Sequence, residues 1–278
     1  MLARTLKGCT AVAFMMAVAT PVLAQPNDGM STGAPSRPVV APLPKAGHWS
    51  VNAYGGTSFD LSGDAISASS NGNIYDPTVA ASTAFSTTSK SYSDVFSMPM
   101  VFGIDIGYAL NKHDEVSLGL RYSHAGGKSF TLGSFDAAGT VNGTAVAVGD
   151  SLNAKVSDLN EYGMEFGYRH FFNLKQTHFH PFLGGSLGVK QTDKVTMDLT
   201  SNGANAGNAL ELFKGGLGWS AGLNTGFHYD MTRRVSLGME TGIRYDSGVG
   251  KGSNNATDAG KGDGRWEIPV TAGVIIKF

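Results

Sequence analysis

The stretch GRWEIPVTAGVIIKF, residues 264–278, decides the fold. Every second residue is apolar: Trp266, Ile268, Val270, Ala272, Val274, Ile276 and Phe278. Between them stand Arg265, Glu267, Pro269, Thr271, Gly273, Ile275 and Lys277, mostly polar or small. A period of two is the period of a β-strand, whose successive side chains point to opposite faces. This strand has one greasy face and one charged face, and it finishes on an aromatic residue.

The same phase rule recurs upstream. It runs through WSVNAYGGTSF from Trp49, MPMVFGIDIGYAL from Met98, VSLGLRYSH from Val116 and NEYGMEFGYRH from Asn160. It continues, most weakly, in HFHPFLGGSLGVK from His178, then in GLGWSAGLNTGFHY from Gly216 and VSLGMETGIRYD from Val235. With the last stretch, that makes about eight segments. About ten residues is the length of a tilted strand that crosses a bilayer. The connections alternate. NKHDE, FNLKQTH and DMTRR are short, whereas 60–95, 125–157, 191–214 and 247–263 are long. Short turns on one side and long loops on the other are the pattern of an outer-membrane barrel.

The polarity argues the same way. Opposite the apolar face lie Arg121, Glu161, Glu165, Arg169, Glu240, Arg244, Arg265 and Glu267. A soluble core cannot take so many charges unless they pair. A barrel turned inside out gives its greasy face to lipid and its charges to the lumen. Lipid offers no partner to the backbone, so the sheet must close. Trp49, Phe59, Tyr108, Tyr122, Tyr162, Tyr168, Tyr229, Tyr245, Trp266 and Phe278 sit near strand ends, as two interfacial girdles would.

The remaining composition is consistent with this. The 278 residues are 15% charged with a formal net charge of −1, which gives no reason to propose a nucleic-acid partner. The 38 glycines are spread through the chain, and each one inside a helix would cost about 1 kcal/mol. Residues 1–24 read as a signal peptide. Arg4 and Lys7 precede a short apolar core, and cleavage falls between Ala24 and Gln25. Cys9, the one cysteine, leaves with that signal, so the mature chain has no thiol for a disulfide or metal. Residues 25–46, rich in Pro, Ser and Gly, read as a flexible periplasmic linker. The exported linker places the short turns on the periplasmic side and the long loops outside. Residues 47–278 form the barrel domain.

Those residues resemble the small outer-membrane β-barrel proteins of the OmpA, OmpX and opacity-protein type, a porin-like group. The resemblance is carried by GLGWSAGLNTGFHYDMTRRVSLGMETGIRYD (215–246) and by the ending VTAGVIIKF. It implies an all-β, up-and-down antiparallel barrel of about eight strands. It also implies that Phe278, with Ile276 and Val274, is the signal read by the barrel-assembly machinery. Outer-membrane lipids and lipopolysaccharide are the implied surroundings, with a monomer as the state and no cofactor.

Candidate chemistry is sparse. The lumenal charges either line a narrow conduit or fill the interior, and about eight strands leave room only for side chains. Ser123 and His124 are the one enzyme-like feature, because outer-membrane lipid A deacylases use a Ser and a His near the rim. Here the order is reversed, and adjacent strand residues point to opposite faces. His178 and His180 share a strand face, yet a metal site needs a third ligand, so they read as interfacial. The long loops, rich in Ser, Thr, Asn and Gly as in 248–264, either bind a host or surface ligand or are solvated and mobile. The resulting expectation is a non-enzymatic surface protein of the envelope. A small diffusion channel is the second reading and a lipid A deacylase the third.

Overall fold

The computed structural model describes residues 46–172, 178–248 and 262–278. The signal and linker, with Ala24 and Gln25, lie outside the described residues, as does most of the last long loop.

The first strand, β1 (Trp49–Ser62), leads into an outer excursion. That excursion holds β2 (Asp64–Ile66), β3 (Ser69–Asp76), β4 (Ala81–Thr87), β5 (Lys90–Ser91) and the one-turn helix α1 (Tyr92–Val95). Then β6 (Met100–Ala109) descends and β7 (Asp114–Ala125) climbs. A second excursion holds β8 (Ser129–Phe135), β9 (Gly139–Val141), β10 (Thr144–Val146) and β11 (Ser151–Val156). After β12 (Leu159–Phe171) and β13 (Phe179–Thr192), a third holds β14 (Val195–Ser201) and β15 (Ala204–Phe213). The chain finishes with β16 (Gly216–Asp230), β17 (Val235–Asp246) and β18 (Arg265–Lys277).

Eight of these strands close a barrel in the order β1-β18-β17-β16-β13-β12-β7-β6, with every neighbouring pair antiparallel. They coincide with the eight alternating segments of the sequence. The closing seam pairs β1 with β18, from Ser50 opposite Lys277 to Asp60 opposite Glu267. Closure leaves no open edge in lipid, where an unpaired backbone group costs several kcal/mol.

The barrel wears its apolar residues outside. Ile104, Leu120, Met164, Leu187, Leu223, Met239 and Val274 are 45–66% exposed. On a water-soluble protein such a belt would be an aggregation hazard, but against acyl chains it is the favourable surface. Aromatic contacts frame the belt. Tyr122 meets Tyr162 at 5.1 Å, and Trp219, Tyr245 and Trp266 follow one another at 5.2 and 5.1 Å on the outer side. Trp49 meets Tyr108 at 4.8 Å on the periplasmic side.

The three described excursions are built into sheet rather than left as the solvated loops that composition allowed, whereas most of 248–264 lies outside the described residues. Strands from all three build a second sheet in the order β15-β14-β11-β8-β4-β3. The separate hairpin β9–β10 packs against it. Two of the crown's hairpins turn on Asn-Gly, at Asn142–Gly143 and Asn202–Gly203. All four residues have φ between 48° and 79°, the conformation a tight two-residue hairpin demands. This crown has an ordinary core. Phe85, Leu132, Phe135, Leu152, Met197, Leu199, Leu212 and Phe213 are all at most 2% exposed.

Candidate functional site

The lumen is a stack of layers. At its outer end the rings of Tyr92, Phe96 and Phe213 lie 6.1–6.4 Å apart, and so join α1 to the third excursion. Helix α1 is short but fixed: Ser91 caps it by accepting from the Asp94 amide, and the Asp94 carboxylate accepts from the Ser91 amide. The Arg265 guanidinium sits under the Tyr92 ring, 5.2 Å from its centroid. Burial lifts the Tyr92 phenol well above its ordinary pKa, so it remains a neutral donor and bonds the Asp263 carbonyl at 3.3 Å. The aromatic layer therefore caps the ion network below it on this side.

Below it lies the main ion network. Arg265 pairs with Glu161, and with Asp246 at 3.3 Å. Lys190 Nζ reaches Glu161 at 2.8 Å and Asp246 at 3.3 Å. Arg244 holds Glu165 at 2.5 Å and Asp246 at 2.8 Å. Arg121 donates to Glu267 at 2.9 Å. Asp60 stands 3.8 Å from Arg265. A second, inner group centres on Arg169, which holds Asp105, Glu115 and Glu240, each at 3.2 Å. The Asn224 amide supports Glu240 at 2.6 Å. Between the groups lies a cavity of about 80 Å³, lined by Asn52, Asp105, Glu165, Arg169, Asn224 and Glu240 among others.

The periplasmic end carries an aromatic layer as well. Phe171, Phe182 and the His228 ring pack at 5.0–5.5 Å, with Phe182 beneath Arg169. Under them Asp230 accepts from Ser236 at 2.6 Å and Lys277 at 2.5 Å, and lies 3.1 Å from His180 Nε2.

All eight charges singled out in the sequence lie in this lumen. Sequence reasoning missed five partners: Asp60, Asp105, Glu115, Lys190 and Asp246. Asp105 and Asp246 stand in the polar phase of their segments, and Lys190 stands opposite the apolar Val189, so phase alone could have found them. The reading of His180 as interfacial needs correction, because it is 4% exposed and serves Asp230. His178, just before β13, approaches the Asp230 carbonyl at 3.1 Å instead. Ser123 is buried on the lumenal side, whereas His124 Nδ1 meets Asn160 Oδ1 at 2.9 Å. The two are not brought together. Phe278 is 69% exposed, and its amide bonds the Trp49 carbonyl at 2.9 Å across the seam.

An eight-stranded antiparallel barrel with an apolar outer face and an ion-paired interior is the architecture of the small outer-membrane β-barrels, and this chain has that fold. No protein-family model matches the chain, and no curated protein matches it. Among solved structures, Neisserial surface protein A is 14% identical, with 83% of this chain and 96% of that one covered and a TM-score of 0.38. Ail, the attachment invasion locus protein of Yersinia pestis, is 12% identical over 84% of this chain and 99% of its own, at 0.38. The outer membrane protein OprG from Pseudomonas aeruginosa is 11% identical over 84% and 97%, at 0.42. The assignment to the class rests on strand count, closure and inverted polarity.

Proposed function

We propose that this chain is a non-enzymatic surface protein of the outer membrane, which stiffens the envelope and presents its crown to host or neighbouring surfaces. The observation that carries the reading is the crown's own buried core. Loops that served only to join strands would not need one. A platform that must hold a fixed outline does. In this reading the signal is removed between Ala24 and Gln25. The assembly machinery reads Phe278, Ile276 and Val274, lipopolysaccharide surrounds the outer rim, and the protein works as a monomer.

The test places the protein in lipid nanodiscs over host-cell monolayers. Retention is expected for the wild type, and loss for a variant in which a short turn replaces residues 195–213. Equal retention of both forms would overturn the reading.

A second reading, a small diffusion channel, is favoured by the polar cavity between the ion groups. Aromatic layers at both ends and the ion pairs that fill the lumen argue against it. Single-channel recording decides: a silent bilayer is expected from folded protein, and discrete steps would establish the channel. Deacylation of lipopolysaccharide that His124→Ala abolishes would establish an enzyme instead.

A further inference from the structure

The crown's upper turns carry no charge. Its strands leave the barrel and return to it, so the turns at 77–80, 142–143, 148–149 and 202–203 lie at the ends remote from the barrel. The runs 65–75, 77–89, 137–149 and 199–210, which hold these turns, contain no Asp, Glu, Lys, Arg or His. Carboxylates that border the runs are engaged within the crown. Asp76 accepts from the Gly143 amide at 2.8 Å and from the Thr78 hydroxyl at 2.6 Å. Asp150 accepts from the Ala147 amide at 2.8 Å and from Asn202 at 2.7 Å. Asp136 accepts from Ser86 at 3.0 Å, and Asp198 from the Ala209 amide at 2.7 Å.

The same region exposes apolar side chains. Tyr75, Val79 and Val148 are 62%, 52% and 67% exposed, and Pro77, Ala80 and Ala145 are exposed beside them in sequence. The Asp76 bonds tie the 77–80 turn to Gly143, and the Asp150 bonds tie Ala147 to Asn202. The outline is therefore set before any contact, and little ordering entropy is lost when a partner arrives. Polyanionic surfaces are captured by clusters of Lys and Arg, which these runs lack. An uncharged, partly apolar surface with an exposed Tyr matches instead the centre of a protein–protein contact.

We propose that the crown's apex binds the apex of a second copy of this chain carried by a facing membrane. The inference rests on the reading of the crown as a presented surface, and names its partner. Most surfaces meet a copy of themselves with like charge against like charge. These turns bring none. Barrels in one membrane hold their crowns the same way up, so two apices meet only across two membranes, in an isologous two-fold contact. With Tyr75, Val79 and Val148 as the large apolar groups, each contact is weak, and adhesion comes from many copies acting together.

The experiment mixes two populations of zwitterionic lipid vesicles, each carrying the protein and a different dye, and scores clusters that hold both dyes. Mixed clusters are expected well above the level of bare vesicles. Val79→Asp together with Val148→Asp in both populations should return them to that level. Pairing this variant with a population carrying Val79→Lys and Val148→Lys should restore them, a rescue that misfolded protein could not produce. No mixed clusters from the wild type would overturn the proposal. So would clusters that survive the paired Asp substitutions, or equal clustering of protein-bearing vesicles with bare ones, which would make lipid the partner. Vesicles that stay apart while wild-type nanodiscs are retained on host-cell monolayers would overturn the second copy alone and leave the presented surface standing.

Discussion

The barrel and the crown are built from the same alternation and use it in opposite senses. In β6, Phe102, Ile104 and Ile106 are 40–51% exposed and Asp105, between them, is buried. In β14, Val195, Met197 and Leu199 are at most 1% exposed and Asp198 faces outward. A period of two therefore identifies a strand in either region. It does not say which face meets the solvent. The charges say that: where they recur in register with acidic and basic partners, the polar face is the inside.

The comparison can be broken by substitution. The largest effect belongs to the lumen. Arg265→Met would leave Glu161 and Asp246 buried against one fewer cation, at a cost of about 3–5 kcal/mol. The unfolding midpoint of the whole barrel should fall, read by the heat-dependent shift in gel migration. Next comes the crown. Leu199→Ala should cost about 3–4 kcal/mol by opening a cavity. Hydrogen exchange should quicken in β8, β11 and β14 while the barrel strands keep their protection. Exchange that quickened equally in both regions would mean that the two regions unfold as one.

The lipid face should respond differently. Leu120→Arg, near the middle of β7, should destabilise by roughly 2–4 kcal/mol in bilayers. Val148→Arg, on the exposed crown surface, should change little when measured in the same lipid.

The smallest effect is acid loosening of the crown. The Asp76 carboxylate accepts from the amides of Gly143 and Thr78 and from the Thr78 hydroxyl, which holds its pKa down at about 2. Asp150 is lowered too, by the Ala147 amide and Asn202. A depressed carboxylate contributes stability that is full above its unfolded pKa, near 3.9, and is lost as pH falls through the folded value. Exchange at the crown tips should therefore quicken between about pH 4 and pH 2. Asp76→Asn should flatten most of that change.

The barrel was legible because most strands there repeat one signal over about ten residues, and because Arg121, Glu161, Arg169 and Arg265 mark the inner phase. The crown was not. Leu152, Ala154 and Val156 alternate, as do Val195, Met197 and Leu199, but the runs are short and lie among Ser, Thr and Asn. Composition spoke for loops, and tertiary packing overrode it. The lumenal site was half legible for the same reason. Phase places a charge inside, whereas the convergence of Asp105, Glu115 and Glu240 on Arg169 depends on the strand register and on how four strands meet around the barrel.

The seam between β1 and β18 has a kinetic consequence. His48 and Phe278, in contact across it, are 230 positions apart in the chain. The contact that finishes the cylinder therefore joins the most distant parts of the domain, and contacts of that range are slow to form. Until it forms, β1 and β18 each present an unpaired edge, so a partly inserted intermediate has nowhere comfortable to rest in lipid. Insertion should run as a concerted event, with the nascent chain escorted in an unfolded state until its last strand arrives.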